Sequence, residues 1–161
     1  MKRKHRKQSY AAFKRKLKQR DKRRARREKI KRVRLPSLAS LRRKLDAAFS
    51  LFIRLRQANA DGVGNCVTCQ AQVHYKQANA GHFIVRQHLA TRYDERNCHL
   101  QCVVCNLYRH GNLVEYNAFM LARYGQETID ELRRLKRTTV RFTRADYLQL
   151  LERFSNAMPK S

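Results

Sequence analysis

Nowhere in its 161 residues does this chain approach the ~18 consecutive apolar residues that a membrane span requires. No apolar segment follows the basic N-terminus, which argues against export by a signal peptide and for a cytoplasmic location. Internal repeats, a phosphate-cradling glycine loop and a serine or cysteine triad are all missing, so repeat arrays, P-loop chemistry and acyl transfer drop out. Acids are scarce: 12 Asp+Glu stand against 38 Lys+Arg, a formal net charge of +26. Such an excess calls for a polyanionic partner, nucleic acid before an anionic membrane face.

What the chain does have is unevenly placed. Residues 1–36 hold 19 Lys+Arg and two acids, Asp21 and Glu28, for a net of 19 − 2 = +17. Runs such as Arg23, Arg24, Arg26 and Arg27 cannot pack a core, because like charges repel and little apolar surface offsets the entropy of ordering. Lys14 to Arg34 contains good helix formers and neither Gly nor Pro, so this basic arm suits a helix once its charge is neutralised. Tyr10, Phe13 and Leu17 fall at helical spacing and offer one apolar turn for docking. The arm reads as a phosphate grip whose affinity falls steeply with salt and which reads no bases. A merely solvated tail is the ordinary alternative.

Residues 37–62 follow as an amphipathic helix and its exit. Ser37 suits a helix cap, and Leu38, Leu41, Leu45, Ala48, Phe52 and Leu55 recur at steps of three and four. That stripe is structural, packed on the core or on a second subunit. Four of the five cysteines form two C-x2-C pairs, Cys66 with Cys69 and Cys102 with Cys105, 32 residues apart. Two such knuckles place four thiolates around one structural zinc ion with no open position for substrate. Disulfides or free thiols are the alternatives. The fifth, Cys98, reads as a small buried hydrophobe.

Between the knuckles, Phe83-Ile84-Val85 predicts a strand and Thr91-Arg92-Tyr93 a short second one. A helix is expected from the second knuckle, broken near Gly111 and resumed from Leu113 to Tyr124. Within a central domain of residues 63–124, residues 66–124, with Ala80-Gly81-His82-Phe83, Asn97-x-His99-x-Gln101-Cys102-x2-Cys105-Asn106 and Gly111-Asn112-Leu113, resemble the HNH nucleases and, in their details, the phage NinG/Rap recombination proteins. The resemblance implies an α+β fold, mainly helical, with a small ββα-metal (HNH or His-Me finger-like) core braced by the four-cysteine zinc site. It further implies a metal-dependent endonuclease that cuts branched DNA such as Holliday junctions.

By the same resemblance His82 takes the place of the general base, and Asn97 pins the loop that carries it. Asn106 offers an amide oxygen to a catalytic Mg²⁺ or Mn²⁺. Relatives often carry Asp or His just before the base; here that residue is Gly81, which binds nothing. A further ligand must come from His99, His110, Asp94, Glu95 or Asn79. His82 and His99 can instead be structural, and Asn106 can cap a helix. Arg86, Arg92, Arg96 and Arg109 are the expected phosphate contacts near the cleft. Residues 125–161 read as C-terminal helices: Gly125 ends one, Ile129, Leu132 and Leu135 mark a second, and a Thr143–Asp146 capping box opens the last, with Tyr147, Leu150, Leu151, Phe154 and Met158 on its apolar face. A homodimer with one site per strand suits junction cutting. The rival functions are a non-catalytic zinc module that only binds DNA or RNA, and a ribosome-associated RNA-binding protein.

Overall fold

The computed structural model describes the backbone of residues 2–33 and 35–157, and the side chains of 13–28 and 35–157. The side chain of Tyr10 and all of Met158 lie outside the described residues. Two units divide the chain, residues 1–37 and 38–161. The first is one helix, α1, Lys2–Val33. Its composition allows this, since nothing in it breaks a helix, but no apolar stripe stabilises it. Phe13 stands 58% exposed and Leu17 half-buried, so among the described residues of the expected docking turn the aromatic one is not docked.

The second unit is a mixed helical body with two small antiparallel sheets. Helix α2, Leu38–Leu55, begins directly after Ser37. Its buried row is Leu41, Leu45, Phe49 and Ile53, one residue every four, while Leu38 is 47% exposed. The stripe is thus rotated from the one expected, because the i±4 ridge faces the core. Phe154 and Tyr147 of helix α5, Arg144–Asn156, close over this row together with Tyr93 and Cys98. The capping box holds: Asp146 N–H donates to Thr143 Oγ1 and the Asp146 carboxylate accepts from Thr143 N–H. Cys98 is fully buried in this cluster, as its reading as a small hydrophobe requires.

Strands β1 (Val63–Asn65) and β2 (Gln72–His74) form a hairpin around the first knuckle. Strands β3 (Asn79–His82) and β4 (Cys98–Gln101) form the second pair, with Gly81 opposite His99 and His82 opposite Cys98. Both strands differ from those expected. Phe83 and Ile84 are buried in a loop, not a strand, because the Asn97 carboxamide takes both backbone groups of Ile84. Thr91 and Arg92 fall in a helical turn, α3 (Leu89–Arg92). Arg92 and Tyr93 both reach Asp46, which adjacent residues of a strand, pointing to opposite faces, cannot do.

After β4 a single π-helical turn spans Val104–Tyr108, and helix α4 runs Leu113–Leu135 with a break at Gly125, φ 78°. Tyr116, Met120, Ile129 and Leu132 from α4 pack with Val67, Phe83 and Ile84 in a second cluster. Among the described residues no helix is long and apolar enough to cross a membrane.

Candidate active site and metal centre

The four knuckle sulfurs lie within 4.8 Å of one another, and Cys69 Sγ is 3.8 Å from Cys102 Sγ. A tetrahedral ion with bonds of about 2.3 Å sets its sulfurs about 3.8 Å apart, so this cluster can hold a metal ion such as zinc. Gln70 sits in the left-handed region at φ 61°, and its N–H closes the first knuckle on Cys66 O at 2.8 Å. Burial opposes ionisation of Cys66, but Thr68 Oγ1 at 3.2 Å and backbone amides outweigh it and pull the thiol down to about 6. Burial and the neighbouring thiols push Cys69 up to about 12. Thiolates this close repel each other, and a divalent cation is what lets all four ionise.

Beside this cluster opens a cleft of about 510 Å³. His82, Asn106 and His110 line it, as do Arg86, Arg92 and Asn79. His82 ends β3, and its Nε2 donates to Arg92 O at 3.0 Å. That fixes the proton on Nε2 and leaves the lone pair on Nδ1, which has Cys98 Sγ 3.7 Å away. Burial, followed by the positive charge of Arg92 and Arg86, holds His82 below the ordinary imidazole range despite the Arg92 carbonyl, so the ring is neutral near pH 7. Asn106 lies within the π-helical turn rather than at a helix start, which removes the capping alternative. Its side-chain amide makes no hydrogen bond among the described residues.

Asn97 does what pinning requires. It is fully buried, its Oδ1 accepts from Ile84 N at 2.7 Å, and its Nδ2 donates to Ile84 O and Thr91 O at 2.9 Å each. Residues 83–91, the segment next to His82, are clamped by this one side chain.

His99 is a correction. It is 1% exposed and does not line the cleft. Tyr116 donates its hydroxyl proton to Gly81 O at 2.8 Å, so His99 Nδ1–H must donate to Tyr116 Oη at 3.0 Å, and Nε2 accepts from Tyr124 at 2.9 Å. Both ring nitrogens are engaged, and neither can serve a cation. Asp94 and Glu95 are also elsewhere: Asp94 pairs with Arg96, and Glu95 with Arg56 and Arg153. Of the five candidates for the further ligand, the cleft keeps His110 and Asn79.

The buried neutral His99 has a consequence in acid. Burial, then the charges of Arg56 and Arg123, lower its pKa to about 3. An unfolded histidine titrates near 6.5, so below that pH the unfolded chain takes a proton that the folded one refuses. Stability is complete above pH 6.5 and falls by about 1.4 kcal/mol per pH unit toward pH 3. Chemical denaturation from pH 6 to 4 should show this slope in excess of that of His99→Gln; parallel curves would contradict it.

Gly81 has no room for a side chain. A Cβ there falls 2.0 Å from Gln101 Oε1 and 2.7 Å from Gln101 Cδ. Gln101 is fully buried and tied by Nε2 to Gly111 O at 2.8 Å and Thr68 Oγ1 at 3.2 Å, so it cannot swing away freely. Gly81→Ala should therefore lower stability by about 1–3 kcal/mol, read from its denaturation midpoint. An unchanged midpoint would mean that Gln101 relocates without loss.

The arginines separate. Arg86 and Arg109 are exposed. Arg92 is held by Asp46 through Nε at 2.8 Å and a second nitrogen at 2.7 Å, and also lines the cleft. Arg96 is paired with Asp94 and Glu131 and does not line it. On α1, Arg23, Arg24, Arg26 and Arg27 are all exposed.

Asp46 is the residue that sequence reasoning missed. Burial raises its pKa, but hydrogen bonds from Arg92 and Tyr93 win and hold it below the usual carboxylate range. It anchors Arg92, whose carbonyl anchors His82. Its signal was available: it is the single acid of α2, immediately after the core residue Leu45.

A family model described as "Bacteriophage Lambda NinG protein" matches residues 1–160. The chain is 35% identical over 105 residues to "Protein ninG" of Escherichia phage 933W, covering 65% of this chain and 50% of that one. It is 34% identical to its counterpart in Escherichia phage lambda over 105 residues (65% and 49%), and 33% identical to that of Salmonella phage P22 over the same length and shares. The chain spans about half the length of these curated relatives. No solved structure matches it.

Proposed function

The chain belongs to the NinG family, and from that premise we propose that it is a metal-dependent DNA endonuclease of phage recombination, acting on branched DNA such as Holliday junctions. The observation that carries this reading is the single cleft that gathers His82, Asn106 and His110 with Arg86 and Arg92. The order β3, β4, then helix α4, with the cysteine cluster beside it, supports an HNH-like ββα core braced by zinc on Cys66, Cys69, Cys102 and Cys105.

His82 is the general base: the Arg92 carbonyl keeps the ring aimed, and Nδ1 takes the proton of the attacking water once the water replaces the weak thiol contact that Cys98 Sγ makes there at 3.7 Å. Exposed Arg86 holds the phosphate, and Arg92, whose guanidinium is engaged by Asp46 and by Arg86 O, supports the loop that presents it. A divalent cation, Mg²⁺ or Mn²⁺, supplies Lewis acidity for the phosphoryl and leaving oxygens when bound. Asn106, with its unengaged amide oxygen, and His110 are the residues that fit it, with Asn79 next to them. Asn97 acts through the loop it clamps and touches no reacting atom. The α1 arginines supply phosphate contacts without sequence preference.

One observation favours the second reading, a zinc module that binds nucleic acid without cutting it. Among the described residues the only acid lining the cleft, Asp46, is already committed to Arg92 and Tyr93. A cleavage assay separates the two. The zinc-loaded full chain is incubated with a four-way junction and with a duplex of the same sequence, with and without Mg²⁺ or Mn²⁺. The expected result is metal-dependent nicking of the junction. Binding to both DNAs with no nick under any metal gives the site to the second reading.

A further inference from the structure

The π-helical turn and the residues after it present an unusual amount of apolar surface to water. Tyr108 is 76% exposed, Leu107 57%, Val104 50% and Val114 81%. Within the turn the buried residue is Cys105, a member of the sulfur cluster. The chain leaving the turn is sharply bent: His110, Gly111 and Asn112 all have positive φ, at 49°, 90° and 48°. Two of the three are not glycine, a conformation that surrounding structure must impose. The exposed side of the turn forms a ledge.

The ledge borders the cleft. Leu107 lines it from the turn, and Val85, 51% exposed, lines it from the loop after β3. Exposed Arg86 lines the same cleft, and exposed Arg109 follows Tyr108 in the chain. No acid occurs from Asn97 to Val114. Apolar contact surface beside exposed positive charge fits a nucleotide, whose base wants a flat apolar neighbour and whose phosphate wants a cation. A second copy of the chain would instead set these arginines against each other.

We propose that the Leu107–Tyr108 ledge is a stacking platform for an unpaired nucleobase of DNA, next to the phosphate held in the cleft. The position beside a reacting phosphate rests on the nuclease reading; the base contact itself does not. A stacked duplex hides its base faces, so the ledge selects DNA that exposes them at a branch point or gap. That gives the substrate preference a physical origin separate from the arm, which grips any phosphate backbone.

The test needs no cleavage. The zinc-loaded full chain, without Mg²⁺ or Mn²⁺, is titrated with a duplex interrupted by a short single-stranded gap and with the continuous duplex. The expected wild-type preference for the gap is roughly tenfold, as one stacked base provides. Tyr108→Phe should keep this ratio and Tyr108→Ala should bring it near one, with zinc content and melting of both variants as the folding check. Iododeoxyuridine placed in the gap should photocrosslink to Tyr108. A wild-type ratio of one, or a ratio unmoved in Tyr108→Ala, overturns the proposal. So does a Tyr108→Ala protein that sediments as a smaller species and loses both DNAs equally, since a second copy then covers the ledge. If the junction is never nicked but the ratio behaves as expected, the nuclease reading fails and the platform stands.

Discussion

His82→Ala is expected to lower metal-dependent nicking of a four-way junction by about 10²- to 10⁴-fold, the range a positioned general base supplies. Junction binding should change little, because the ring contributes no charge near pH 7. The expectation rests on how the imidazole is held. The Arg92 carbonyl fixes the proton on Nε2, so Nδ1 carries the lone pair, and burial keeps the ring from protonating. The pH profile follows with its sign. The base works deprotonated and its pKa lies below the ordinary value of about 6.5, so activity is full above that pH and falls on the acid side. His82→Ala should lose this acid limb. A variant that cuts as well as the wild type removes His82 from the chemistry even if the activity is real.

Cys66→Ser, or thorough chelation, should abolish the cooperative melting transition of residues 38–161. The two knuckles come from separate parts of the chain, one in the β1–β2 hairpin and one after β4, and their sulfurs converge within 4.8 Å. Binding energy at such a site is folding energy, roughly 10 kcal/mol or more, comparable to the whole stability of a domain. The clusters of apolar residues on either side are small, and Val67, next to Cys66, belongs to one of them. Loss of one sulfur should therefore be visible in zinc content and in the thermal melt together. A variant that melts as the wild type does, without zinc, would show that the apolar clusters suffice.

The parts of the site that sequence spacing made visible are those whose chemistry is local. C-x2-C pairs announce a metal cluster because the spacing itself sets the geometry, and the Thr143–Asp146 box announces a helix start for the same reason. Asn97 reads as a clamp from its place in the motif, and its three hydrogen bonds make it one. The strands lie elsewhere than expected because β4 is buried at every position, leaving no alternation to find, while Phe83-Ile84-Val85 has strand composition but gives the Ile84 backbone groups to Asn97. His99 misleads because its motif position lies between Asn97 and Cys102, whereas its side chain leaves that face and joins two tyrosines from α4, 17 and 25 residues away. Asp46 is hidden by distance: its partner Arg92 is 46 residues on. The absence of a side chain at residue 81 is legible, but its cause, the Gln101 carboxamide lying over the strand, is a tertiary contact.

Soaking the zinc-loaded protein, bound to a gapped or branched DNA, with Mn²⁺ and recording anomalous scattering asks whether a divalent cation and His82 meet at one phosphate. The predicted result is a manganese peak against Asn106 and His110, with one phosphate between it and the imidazole of His82. A peak confined to the four sulfurs, or a phosphate backbone that passes the cleft without entering it, would contradict it.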